Sequence, residues 1–231
     1  MEDSLKTIIN AIFFSLVSSF LVGLYFQIVL KDQISKEHLK IIEYRDDFYK
    51  AGIIKYYPSF KDCIENLRQD IRKSKNVKIY VTYGSTILNT LSEDISDLLS
   101  RKDSKLEVVL MGEKNPFALG YAELWNYSEE QLKNKITESF ELLKNKKGEL
   151  IKQNKLKGKM ELFKNNKYPF NSSFYICDNL IYFVPSKHYE SKDFVPMTIK
   201  AQNTDTEGAL YNKVTQDLDF IFKSGKGIEK I

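Results

Sequence analysis

From Ile8 to Leu30 the chain carries no charged side chain. At about 1.5 Å per helical residue such a run extends roughly 34 Å, enough for the hydrocarbon core of a bilayer. A cleaved leader needs a basic start and a small-residue cleavage site, whereas this chain begins Met-Glu-Asp-Ser-Leu-Lys and the run closes on Gln27-Ile28-Val29-Leu30. The pattern therefore predicts a retained transmembrane helix. Lys6 is the only base ahead of it, while Lys31, Lys36 and Lys40 follow, and the side richer in bases stays inside. The expectation is a single-pass protein of the inner (cytoplasmic) membrane. Residues 1–7 are a short extracytoplasmic N-terminus, 8–30 the span, 31–49 a helical linker and 50–231 a cytoplasmic domain.

Ala11, Ser15, Ser19, Gly23 and Gln27 recur every fourth residue of the run and share one helix face. Small residues at that spacing let two helices approach closely, and Gln gains from a polar partner. The stripe reads as a homo-oligomer contact in the bilayer, or as chance in a serine-tolerant span.

The roughly 200 residues after the run are enough for one core. A net charge of +4 makes the chain no polycation. Cys63 and Cys177 are too few for a disulfide framework. His38 and His188 stand outside any H-x-x-x-H or C-x-x-C spacing, so neither a metal nor a cofactor is called for.

Strands are predicted at 52–57, 77–82 and 106–111, where β-branched and aromatic residues concentrate. Ser59 with Asp62 starts a helix carrying Cys63, Leu67 and Ile71 on one stripe. Ile87, Leu91, Ile95, Leu98 and Leu99 mark another, and 128–143 a third. Short strands follow at 159–163, 173–177, 180–184 and 196–200, with Asp178-Asn179 as a hairpin turn. A last helix opens at Thr204-x-x-Glu207. The order is α/β, a mixed sheet flanked by helices, with ligands expected at strand carboxyl ends.

Three regions are candidate sites. Thr82, Gly84, Ser85 and Thr86 stand where a strand hands over to a helix, a place where backbone N–H groups attract anions; capping by Ser85 is the plainer reading. Lys114 and Asn115 belong to the loop after the next strand and are expected alongside. Asn171 and Ser173 alternate on one strand face as a neutral hydrogen-bonding pair, either toward a ligand or toward nearby backbone. Separately, Lys144, Lys146, Lys147, Lys152, Lys155, Lys157 and Lys159 form a basic stretch, followed by Tyr168 and Phe170. Cations beside rings suit single-stranded nucleic acid; the same lysines also suit an anionic lipid surface or a plain solvated face.

The opening Gly52-Ile53 strand, Asn76-Val-Lys-Ile-Tyr80, Lys105-Leu-Glu-Val-Val109, Asp178 in a hairpin and the closing Leu210-Tyr211 helix resemble one half of a phospholipase D-like domain. That resemblance implies an H-x-K-x(4)-D signature. With Asp178 as its acid, Asn171 and Ser173 occupy the nucleophile and phosphate-holding positions. Neither can do that chemistry, so the resemblance implies a scaffold without catalysis. In layout the chain looks like membrane-anchored effectors of bacterial anti-phage (antiviral) defence. That implies a nucleotide second messenger read by the domain and relayed to the membrane helix. The alternatives are a membrane-anchored abortive-infection protein binding single-stranded nucleic acid, and a phosphodiesterase or nuclease of the phospholipase D type. The expected partners are lipid bilayer, a second copy, and nucleotide or nucleic acid.

Overall fold

A computed structural model describes residues 6, 14–25, 27, 44–186, 196–223, 225 and 227–231. It divides into two units, Met1–Phe48 and Tyr49–Ile231.

In the first unit, residues 14–25 are helical and exposed. Among the described residues no helix is long and apolar enough to cross a membrane. This corrects the expectation of a transmembrane helix ahead of the domain, and with it the inner-membrane localisation. Of the proposed association stripe, Ser15, Ser19, Gly23 and Gln27 are exposed, and Ala11 lies outside the described residues. Lys31, Lys36, Lys40, His38 and His188 also lie outside them.

The second unit is built on eight strands: β1 (Ile53–Tyr57), β2 (Asn76–Val81), β3 (Lys105–Met111), β4 (Lys159–Asn165), β5 (Ser172–Cys177), β6 (Leu180–Pro185), β7 (Thr198–Gln202) and β8 (Ile228–Lys230). Six helices join them: α1 (Phe60–Lys73), α2 (Ser85–Thr90), α3 (Ser92–Leu99), α4 (Ala118–Leu124), α5 (Glu129–Lys152) and α6 (Leu210–Lys223). One sheet runs β1-β7-β6-β5-β2-β3-β4-β8. β2, β3 and β4 are parallel, in register from Asn76↔Lys105↔Lys159; every other pairing is antiparallel. The α/β mixed sheet expected from the sequence is therefore present.

Strand alternation gives the sheet two faces. Val77, Ile79, Val81, Leu106, Val108 and Leu110 are buried on one, beneath helices whose own stripes are buried, such as Cys63, Leu67 and Ile71 of α1. The other face carries Lys78, Glu107, Glu161 and Phe163. Phe163 meets Phe222 of α6 edge-on at 5.3 Å. α5 begins with a full capping box between Ser128 and Gln131 and continues past the predicted 143 to Lys152. The last helix begins at Leu210 rather than at 204, because Asn212 Nδ2 donates to the Thr204 and Thr206 carbonyls and holds that segment in turns.

Charged groups tie these layers together. Asp94 on α3 is fully buried and accepts from Arg68 Nε at 2.8 Å and from Arg72 Nε, both on α1. Arg101 closes the far end of α1, donating to the carbonyls of Ile71, Arg72 and Ser74. Asp178 adopts φ +48° in the hairpin turn, a conformation Asp tolerates. Its carboxylate accepts from the backbone N–H groups of Lys75 at 3.0 Å and Asn76 at 2.8 Å. On the α6 face, Glu161 accepts from Lys105 at 2.8 Å, Lys159 at 3.0 Å and Lys230.

Two predictions follow from these ties. Asp94→Ala removes the buried acceptor of two partly exposed guanidinium groups and lowers unfolding free energy by about 1–3 kcal/mol in urea titrations. The bonds from Lys105, Lys230 and Lys159 hold the Glu161 carboxyl down at about 2. Because the folded value is depressed, its stabilisation is fully present above the unfolded range near pH 4.5 and is lost as pH falls toward 2. Glu161→Gln therefore costs about 2 kcal/mol at neutral pH, and the gap to the parent closes between those two pH values in urea midpoints.

Candidate functional site

β2 lies at a junction, parallel to β3 on one side and antiparallel to β5 on the other. Its carboxyl end therefore meets the start of β5 and the end of β6. Between them opens a cavity of about 400 Å³, lined by Thr82, Tyr83, Gly84 and Thr86 at the β2–α2 turn, Phe60 and Lys61 of α1, Trp125, Ser173 of β5 and Ser186 after β6. Cavities of that size hold small molecules.

The β2–α2 turn is fixed from above. Gly84 N–H donates to Ser139 Oγ of α5 at 3.0 Å, and Ser139 Oγ donates to the Lys135 carbonyl at 2.7 Å. A Cβ on Gly84 falls 2.9 Å from Leu88 Cδ1 and 3.2 Å from Val81 Cγ2, so glycine lets the chain pass close beneath α2. Gly84 itself occupies the N-cap position, with no side-chain cap bond. Ser85, expected as the cap, is the first helical residue and does not line the cavity.

The aromatic walls are each backed by a second ring. Phe60 stacks on Tyr175 at 5.3 Å. Trp125 stacks on Tyr121 at 5.3 Å and meets Tyr83 edge-on at 5.2 Å. The Tyr121 hydroxyl in turn accepts from Phe170 N–H at 2.8 Å. Burial, and then the neighbouring Tyr127 hydroxyl, push the Tyr83 phenol well above its ordinary range, so it stays a neutral donor.

The polar walls are hydroxyls and one cation. Thr82, Thr86 and Ser173 make no side-chain hydrogen bond to another described residue. Thr90 Oγ1 donates to the Thr86 carbonyl and Ser186 Oγ to the Phe170 carbonyl, leaving their lone pairs. Lys61 supplies the charge. The first turn of α1 offers no open anion site: Phe60 N–H donates to the Pro196 carbonyl, Lys61 N–H to Ser59 Oγ and Asp62 N–H to the Ser59 carbonyl. Among the described residues the lining contains no carboxylate, imidazole or thiol, and no cluster of His, Cys, Asp and Glu is fit to hold a metal.

Of the candidate residues, Thr82, Gly84, Thr86 and Ser173 come together here, and the others do not. Asn115 is buried in its own loop, donating to the carbonyls of Asn165 and Tyr168 while accepting from Phe117 N–H; Lys114 is exposed beside it. Asn171 lines a different cavity of about 210 Å³, with Tyr80, Ser172, Phe174 and Asp217. Asn171 and Ser173 thus serve two separate cavities, because regular alternation begins only at Ser172. Sequence reasoning missed Phe60, Lys61, Trp125 and Ser186. Lys61 and Phe60 were legible as the first turn behind the Ser59 cap; Trp125 carried no local signal.

No family model matches the chain, and no curated protein matches it. Among solved structures it is similar to TrmBL2, described as an archaeal chromatin protein with a novel mode of DNA binding. The TM-score is 0.45 and the identity 13%, covering 89% of this chain and 67% of that one. A likeness at that level decides neither fold nor function. Nothing found here supports the phospholipase D-like scaffold or the anti-phage role that the resemblance implied. Without a spanning helix among the described residues, the reading of a membrane-signalling sensor, and of its membrane-anchored alternatives, is overturned.

The Ser139–Gly84 bond yields a direct test. Ser139→Ala orphans a buried N–H at the cavity floor and costs about 1–3 kcal/mol in chemical denaturation.

Proposed function

We propose that the unit from Tyr49 to Ile231 is a binding domain for a small molecule combining a flat ring with hydroxyl groups, neutral or singly anionic: a nucleoside or a close relative. The observation that carries this is the composition of the cavity wall. Phe60, Tyr83 and Trp125 offer ring surfaces, and Thr82, Thr86 and Ser173 offer hydroxyls without internal partners. Rings stack on rings with a gain of about 0.5–1.5 kcal/mol beyond area burial, and unpaired hydroxyls favour a ligand that brings its own. Among the described residues the wall carries one lysine and no carboxylate, a balance that selects against cations and gives little for a multiply charged anion.

The reading is of binding without turnover. Lys61 and Tyr83 are the titratable groups on the wall, and the Tyr83 phenol is held protonated. Among the described residues the lining pairs no nucleophile with a base, the minimum for covalent hydrolysis.

Trp125 is the chain's one tryptophan, so its fluorescence reports the cavity directly. Titration of the full chain with a panel of nucleosides is expected to quench that emission saturably for at least one of them. Thr86→Phe, which fills the cavity from an exposed helix position, is expected to weaken that ligand at least about tenfold, roughly 1.4 kcal/mol. A linear, unsaturated response to every nucleoside, or undiminished affinity in Thr86→Phe, sinks the reading.

A further inference from the structure

The opposite end of the parallel strands has a different character. The register Asn76↔Lys105↔Lys159 sets the starts of β2, β3 and β4 in one row, with neighbouring strands about 4.8 Å apart. The three segments feeding those starts are bonded to one another. Lys105 N–H donates to the Lys75 carbonyl, Lys159 N–H to the Ser104 carbonyl, and Lys157 and Gly158 N–H to the Leu99 carbonyl. Arg101 joins the end of α1 to the α3–β3 turn.

This places Lys73 and Lys75, Lys102, and Lys152, Lys155 and Lys157 around one rim. All six are exposed, and none forms an ion pair with another described residue. The neighbouring acids are mostly engaged. Asp178 accepts from backbone, Glu161 is held by three lysines, and Glu149 pairs with Lys146. Asp97, Asp103 and Asp178 are exposed acids at this end that form no ion pair with another described residue, three against the six lysines.

We infer that this rim binds the phosphate backbone of a nucleic-acid duplex, without reading its sequence. Four to six exposed lysines in one row match a partner whose charge is regular and dense, and such binding is released by salt. A single strand is the poorer fit, since its binding draws on rings that stack bases. None of the three segments contains an aromatic residue. Tyr168 and Phe170, adjacent in sequence to the basic stretch, follow the far end of β4. Phe170 is fully buried there against Tyr80 at 4.3 Å. The rim also stands at the other end of the sheet from the nucleoside cavity, so the inference is independent of that reading.

The experiment measures binding of the full chain to a labelled duplex of arbitrary sequence, to an oligothymidine of equal length, and to phosphatidylserine-containing vesicles. The duplex affinity is expected to fall about 10²–10³-fold between about 50 and 200 mM salt, as for roughly five phosphate contacts. The triple reversal Lys152→Glu, Lys155→Glu, Lys157→Glu is expected to weaken it at least about tenfold and flatten the salt slope by about 3, with an unchanged melting temperature. Should that variant fold poorly, Lys73→Glu with Lys75→Glu and Lys102→Glu on the adjoining segments is expected to give the same loss. The inference is overturned by tighter binding to the single strand, by vesicle capture with no duplex binding, by no duplex binding at low salt, or by folded reversal variants that bind as the parent does.

Discussion

The pairing of β2 governs this domain. It has a parallel neighbour on one side and an antiparallel neighbour on the other, as β4 does between β3 and the short β8. On the β3 side the chain must cross over the sheet by helices to return in the same direction. On the β5 side the neighbour arrives antiparallel from the loop after β4, and the hairpin through Asp178 then leads from β5 into β6. The carboxyl end of β2 is therefore left between a departing helix and an arriving strand, and a crevice opens where the two connection types diverge. The same register sends the starts of the three parallel strands to the opposite end, where their turns gather lysines.

Electrostatics and stacking then set the character of each end. At the cavity, hydroxyl groups without internal partners face rings that are each pressed against another ring, so the walls are ordered before any ligand arrives. Preorganisation of this kind lowers the cost of binding. Elsewhere the acids hold the layers: Glu161 sits in a three-lysine cluster and Asp94 under Arg68 and Arg72, while six lysines at the rim form no ion pair with another described residue.

Much of the fold was legible because its signals are local. The α1 stripe of Cys63, Leu67 and Ile71, the alternation of Val77, Ile79 and Val81, and the Asp178-Asn179 turn each follow from spacing within one element. Part of the cavity was legible for the same reason, since Thr82, Gly84 and Thr86 surround a strand-to-helix turn. The rest depended on contacts that no window of sequence contains. Asn171 and Ser173 were read as one pair because strict alternation was extended one residue too far. Tyr168 and Phe170 follow the lysines in sequence, but β4 carries them to the opposite end of the sheet. The apolar run was read as a span from its length and lack of charge, while among the described residues no helix is long and apolar enough to cross a membrane.

By itself the sequence determined where most strands and helices form and which of their faces are apolar, because backbone geometry and side-chain periodicity act over a few residues. It did not determine the helix at Ala118–Leu124 or the strand at Ile228–Lys230. Tertiary structure alone decided which strand ends meet. It brought Trp125 and Phe60 to the hydroxyls of Thr82 and Ser173, and separated the lysines from the rings. Pairing across the sheet joins residues as far apart as Asn76 and Asp178. Its outcome is set by the burial of whole faces rather than by any local preference.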